Sequence, residues 1–226
     1  MSGIVGSYFN TRGSGVVAKL GTDGQVFTST GAGLTQGFED AAGGGAWTLI
    51  KNLTASNIAA ISFIHGTASV VFDSTYPTYV IIIRNLTPAT DTQDLFFRYA
   101  QGGSIITTSK YSFHTDGGGS NVAAGTGNSN ADNQDRMSLN GQDMQALDND
   151  AASSFDMTMI ISNPSGSTTR TNCYWHCSYS DTNASVHGRS GHGSYVNDST
   201  AVDGFSFYMQ SGNITSGTFS LYGIST

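Results

Sequence analysis

The chain has 226 residues and a net charge of −7, with only 11% charged residues and 29 glycines. Its nine Lys and Arg residues are scattered, so it lacks the basic patch that a nucleic-acid partner needs. Glutamate occurs once, at Glu39, and lysine three times, so the residues that build solvated helix faces are nearly absent and we expect an all-β protein.

The N-terminal segment, residues 1–44, alternates small polar residues with single Val, Leu or Phe residues and carries little helix signal. It holds too few large apolar side chains to offset its own backbone entropy, so we expect it to fold only against a partner. Unpaired strand edges in such an arm favour strand addition to another chain. The glycine run at 43–45 marks the boundary between this arm and a head domain, residues 45–226.

After the glycine run, β-branched and aromatic residues form short apolar runs that turn sequences such as DSTYP and TPATD separate. This pattern predicts an antiparallel, jelly-roll-like β-sandwich. Residues 115–135 are dense in Gly and Asn without apolar periodicity, and we predict a long exposed loop there. The predicted strands of the head are 46–55, 58–64, 78–86, 94–101, 155–162, 171–180, 205–212 and 217–224.

The period of two along a strand predicts which side chains face the core. In the strand at 171–180, Cys173, Trp175 and Cys177 share the inward face, while Tyr174 and His176 face the other way. The two cysteines would lie about 13 Å apart on one strand, so we expect free thiols. The other expected inward side chains are Phe155, Met157, Met159, Ile161, Phe205, Phe207, Met209, Phe219 and Leu221.

Three stretches of sequence are similar to phage proteins. The segments SGIVGSYFNTRGSG (Ser2–Gly15) and GTDGQVFTSTGAG (Gly21–Gly33) resemble the N-terminal segments of tailed-phage virion proteins, especially tail-fibre and related structural proteins of marine phages. The ending NITSGTFSLYGI (Asn213–Ile224) resembles the closing strand of a β-sandwich module in phage structural proteins.

The resemblance implies a non-enzymatic virion structural protein, namely a tail-fibre or receptor-binding protein that displays a β-sandwich head. The arm would bind other virion proteins, and the copies would form a homotrimer. A capsid decoration protein is the alternative within this class. Since no run approaches 18 apolar residues and no basic segment precedes an apolar one at the N-terminus, we expect synthesis in the host cytoplasm without a signal peptide or membrane span, and a place in the virion.

A carbohydrate-active β-sandwich enzyme and a glycan-binding module are the competing hypotheses. Glycoside hydrolysis needs two carboxylates across one cleft, and the densest acidic group is Asp143, Asp148, Asp150 and Asp156. Asp in such runs usually caps turns, so we assign no catalytic residue. Asp148 and Asp150 offer oxygen ligands of the kind that Ca²⁺ takes, but the EF-hand pattern is missing, and His176 points away from both thiols. We assign no metal site and no cofactor, and leave Ca²⁺ binding by these loops as an open alternative.

The glycine-punctuated segment 185–195 is the candidate binding surface, predicted as an exposed loop. Adaptable loops with planar polar groups suit the recognition of a host surface glycan or protein. The alternative is that these side chains bind a neighbouring copy or cap turns. The candidate binding residues are His187, Arg189, His192 and Tyr195, with Tyr174 and His176 on an adjoining surface.

Overall fold

The computed structural model describes residues 25–29, 36–40, 46–120, 127–141, 145–195 and 200–225, which form strands and their connections. In these ranges no helix is long and apolar enough to cross a membrane. The chain divides into two compact units, residues 1–45 and 46–226. In the first unit, β1 (Gln25–Ser29) and β2 (Gln36–Asp40) form an antiparallel pair. The rest of the predicted arm lies outside the described residues.

The second unit contains two antiparallel sheets. The eight strands of the large sheet, in spatial order, are β3 (Trp47–Ile58), β15 (Ile214–Ile224), β5 (Thr78–Pro88), β11 (Phe155–Ser162), β12 (Asn172–Ser180), β13 (Val186–Tyr195), β8 (Tyr111–Gly119) and β9 (Gly127–Gln134). The small sheet has the order β10 (Met137–Ser138), β6 (Leu95–Gln101), β14 (Gly204–Met209) and β4 (Ala60–Ile64), with β7 (Ser104–Ile105) also paired to β6. The predicted antiparallel β-sandwich is confirmed, whereas its jelly-roll connectivity stays a prediction.

The core lies between the inward faces of the two sheets. Phe207 of β14 contacts Phe219 of β15 with ring centroids 5.6 Å apart. Tyr99 of β6 stacks on Tyr111 of β8 at 6.3 Å, and the Tyr99 N–H donates a hydrogen bond of 3.0 Å to the Tyr111 hydroxyl. Every side chain predicted to face inward is buried, which confirms the period-two assignments in β11, β12, β14 and β15.

The predicted loop at 115–135 is wrong for the described part of that segment. Strands β8 and β9 pair there, with Asp116 opposite Asn128 and Gly117 opposite Gly127. A Cβ on Gly117 would collide with the backbone oxygen of Gly188 and lie 2.7 Å from the Arg189 Cδ, so this position has no room for a side chain. Gly117 therefore marks a crowded strand position rather than a connection.

Two glycines of β13 differ in their surroundings and give a matched test. A Cβ on Gly191 would lie 2.3 Å from the Trp175 Cζ2, whereas a Cβ on Gly188 meets nothing within 4 Å. We expect Gly191→Ala to lower the free energy of unfolding by about 1–3 kcal/mol through overpacking. Gly188→Ala should stay within about 1 kcal/mol of the wild type or be slightly more stable. Urea denaturation of both variants measures the difference, and equal stabilities would contradict this packing.

Candidate functional site

The outer face of the large sheet presents a regular array of polar and planar side chains where β11, β12, β13 and β8 lie side by side. Because Cys173, Trp175 and Cys177 are buried in the core, the alternate residues of β12 point outward. Tyr174, 47% exposed, and the exposed His176 therefore lie on this face, as the sequence predicted.

Cross-strand register aligns three planar side chains in what we call the ring row. Tyr174 of β12 lies opposite His192 of β13, and His192 lies opposite His114 of β8. The imidazole centroids of His114 and His192 are 5.5 Å apart. The row continues with Ile160 on one side and Asn130 on the other.

Two polar rows flank the ring row. The serine–asparagine row consists of Ser162, Asn172, Ser194 and Ser112 on successive strands. The His176 row consists of Thr158, His176, Ser190 and Asp116. The ring row is thus one residue wide, with hydrogen-bonding groups along both sides.

Hydrogen bonds fix several of these side chains. His114 Nε2 lies 2.7 Å from Asp116 Oδ2, so the carboxylate orients the imidazole. His176 Nδ1 lies 2.8 Å from Ser190 Oγ. Ser194 donates its hydroxyl proton to the carbonyl of Thr171 at 3.2 Å. These contacts hold the array in place before any ligand arrives.

A depression of about 540 Å³ lies over the ring row and the serine–asparagine row. Buried residues Phe113, Cys173 and Gly193 contribute to its floor, and Asp132 of β9 also lines it. None of the described residues that line it is Lys or Arg. A second depression of about 330 Å³ lies on the same face, lined among others by Arg84, Asp156 and His176.

Only half of the predicted binding residues share this face. Tyr174, His176 and His192 lie on it, but the predicted exposed loop is wrong because segment 185–195 contains β13. The alternation of that strand buries His187, Arg189 and Tyr195 on the inner side of the sheet. The three buried side chains are therefore not part of an exposed binding surface.

His187 and Arg189 belong to a buried polar chain. Asp181 Oδ2 lies 3.0 Å from His187 Nε2, and the Arg189 Nη2 group lies 3.5 Å from His187 Nδ1. Since the arginine can only donate, Nδ1 is the acceptor and Nε2 carries the proton given to Asp181. Arg189 Nε also donates to the Tyr179 hydroxyl at 3.3 Å, and Tyr179 donates to the carbonyl of Gln145 at 2.7 Å.

Asp181 terminates this chain and stays ionised. Burial acts to raise the pKa of its carboxyl, but the hydrogen bond from His187 and those from the backbone N–H groups of Ser185 and Asn183 hold the pKa below the ordinary value of 3.8. The buried polar chain joins β13 to the turn before it, so its role is structural.

The sequence missed His114, Asp116, Asn172 and Asn130. The signal for two of them was present in β8, where Tyr111, Phe113 and Thr115 are buried and the intervening residues face outward. None of the predicted strands covers 111–119, so neither His114 nor Asp116 is assigned to a face by the sequence. Asn172 lies two residues before Tyr174 and faces the same side of β12.

The aspartates considered for catalysis are engaged in local structure. Asp148 Oδ1 accepts the Asp150 N–H at 3.1 Å and Oδ2 accepts the Ser153 hydroxyl proton at 2.7 Å. Asp156 Oδ1 accepts the Asn85 N–H at 2.9 Å. Asp143 lies outside the described residues. The contacts of Asp148 are the turn-capping arrangement that the sequence offers as the alternative, whereas Asp156 accepts its hydrogen bond across the sheet, from β5 to β11.

The two cysteines are free and buried, as predicted. Burial raises the pKa of both Cys173 and Cys177 to about 12, so both stay protonated near neutral pH. In the part of the chain that the structure describes, no group of three or more His, Cys, Asp or Glu side chains has a geometry that could hold a metal ion.

Comparison of the chain with protein-family models, with curated protein sequences and with solved structures finds no match.

The lowered pKa of Asp181 predicts a specific acid response. A carboxyl whose pKa is lower in the folded state stabilises the fold above pH 3.8, and this contribution is lost as the pH falls through the folded-state pKa. We expect Asp181→Asn to lower the free energy of unfolding by about 2 kcal/mol at pH 7 and to flatten its decline below pH 3.8. Urea titrations between pH 2.5 and 7 measure both, and identical acid slopes for variant and wild type would contradict the assignment.

Proposed function

We propose that the chain is a non-enzymatic structural protein of a tailed-phage virion and that its sandwich is a receptor-binding head. The outer face of the large sheet, centred on the ring row, is the surface that contacts the host. The segment 1–44 binds other virion proteins, and the copies associate as a homotrimer.

The observation that carries the receptor-binding role is the ring row itself. Tyr174 and His192 expose planar side chains in the middle of a sheet, where neither contributes to the core. Exposed aromatic side chains bordered by fixed hydrogen-bonding groups are typical of recognition surfaces. A sheet also holds them more rigidly than the loop that the sequence suggested, which favours preorganised binding.

The virion setting is supported by the resemblance of Ser2–Gly15 and Gly21–Gly33 to tail-fibre arms. Those segments favour a fibre over a capsid decoration protein. The non-enzymatic part is supported by the turn contacts of Asp148 and the cross-strand contact of Asp156, which use the carboxylates that a glycosidase would need.

The receptor role predicts competition for the host cell. Pre-incubating host cells with the purified full chain should slow adsorption of the virions that carry it, because both compete for one receptor. Tyr174→Ala and His192→Ala chains should compete at least about fivefold less well, since truncating a central aromatic contact typically costs more than 1 kcal/mol. The adsorption rate constant at several chain concentrations is the measurement.

Trp47→Ala is the matched control, because Trp47 is 49% exposed, close to the exposure of Tyr174, but lies on the edge strand β3, four strands away from β12 in the sheet. It should compete as the wild type does. An antibody against the chain that labels the icosahedral shell would replace the fibre role by capsid decoration. Release of sugars from host polysaccharide, abolished by Asp148→Asn, would replace the structural role by an enzymatic one.

A further inference from the structure

We propose that the depression over the ring row is a binding subsite for one uncharged pyranose ring of a glycan. This inference rests on the proposed receptor-binding role and names the chemistry of the receptor. It assigns stacking to Tyr174 and His192. It assigns hydroxyl recognition to the serine–asparagine row, which lines the depression, and to the His176 row, which borders the ring row outside that lining.

The ring row has the shape that stacking needs. Adjacent strands lie about 4.8 Å apart, so Tyr174 and His192, directly opposite each other, present neighbouring planar groups. The face of a pyranose ring carries C–H groups with partial positive charge, which complement the negative face of an aromatic ring. Tyr174 and His192 are both exposed in the middle of the sheet, so either ring can offer a face to such a sugar.

The flanking rows have the polarity that sugar hydroxyls need. Alternate residues of one strand are about 6.6–6.8 Å apart, so hydrogen-bonding groups stand on both sides of the ring row at about that distance. On one side are Asn172 and Ser194, and on the other are His176 and Ser190. A pyranose has an apolar face and a rim of hydroxyls, and the array repeats that order of apolar centre and polar edge.

The ring row is only one residue wide, which argues against an apolar peptide as the occupant. The apolar stripe is a single residue wide, so a hydrophobic helix or strand laid across it would bury Asn172 and His176 against apolar groups. Burying such polar side chains without partners costs free energy. A ligand with its own donors and acceptors at those positions avoids this cost.

Charge selects an uncharged sugar. The depression contains Asp132 and no Lys or Arg among its described lining residues. Asp116, in the adjacent His176 row, is hydrogen-bonded to His114. With a net charge of −7 on the chain, the carboxylate of a uronic or sialic acid would meet repulsion here and no Lys or Arg partner among the described lining residues. Hydroxyl groups can instead donate hydrogen bonds to Asp132.

The volume of about 540 Å³ falls within the range of ligand pockets, about 300–1,000 Å³, and the depression is open on one side. A single ring on an open surface makes few contacts, so we expect dissociation constants of about 1–10 mM for one monosaccharide.

The test measures binding to the full chain by saturation-transfer NMR and by titration. The ligands are the methyl glycosides of glucose, galactose, mannose and N-acetylglucosamine. Methyl glucuronide and methyl galacturonide are the charged counterparts of the first two. We expect at least one neutral glycoside to bind, and its charged counterpart, where tested, to bind at least fivefold more weakly. Tyr174→Ala should weaken binding by about three- to tenfold, while Tyr174→Phe should retain it.

Trp47→Ala is again the control and should bind as the wild type does. Failure of all four neutral glycosides at 50 mM would overturn the inference, as would equal binding of a uronide and its neutral counterpart, or equal losses in Tyr174→Ala and Trp47→Ala. If the chain still blocks adsorption in that case, the receptor role stands and the ligand is not a neutral sugar. If a glycoside binds but adsorption is unaffected, the subsite stands and the receptor role falls.

Discussion

The register of β12 against β13 depends on how Trp175 fits beneath Gly191. Trp175 is fully buried, its Nε1 donates a 2.8 Å hydrogen bond to the carbonyl of Leu139, and any side chain on Gly191 would collide with its ring. A slip of one residue would move the indole to the outer face and turn Tyr174 inward. The ring row therefore exists because a large buried side chain and a glycine fix which residues face outward.

The buried polar chain adds a second constraint on the same strand. Burying Arg189 is costly unless its donors are paired. Its Nε donates to Tyr179 and its Nη2 to His187, which Asp181 holds in place, while the buried Nη1 has no hydrogen-bond partner among the described residues. These partners come from the end of β12, the connecting turn and β13 itself. The buried polar chain thus fixes one end of β13, and Trp175 fixes its middle. As a result, His192 is positioned between β12 and β8.

Most of the fold could be predicted from the sequence because its core strands alternate strongly, as Phe155, Met157 and Met159 do in β11. The strand prediction failed in β8 and β13, where glycine occupies inward positions that a large apolar residue usually takes. The glycines there were interpreted as a sign of a loop. Only the tertiary structure shows that Trp175 and Arg189 occupy that space. The site was predicted only in part. Tyr174 and His176 follow from the alternation of β12, whereas His114 becomes a neighbour of His192 only through the long-range pairing of β8 with β13.

An open site on a rigid sheet limits how tightly one copy of the protein would hold a receptor. Because the ring row and its hydrogen-bonding neighbours are fixed in advance, little conformational entropy is lost on binding, but the open surface limits the number of contacts. One subsite of millimolar affinity cannot hold a virion on a cell. Several copies presented together convert later contacts into intramolecular ones, and avidity can exceed the single-site affinity by about 10²–10⁴. The proposed association of copies as a homotrimer is therefore a requirement of the proposed receptor role, since a single sandwich with this open surface would dissociate too quickly to hold a virion on its host.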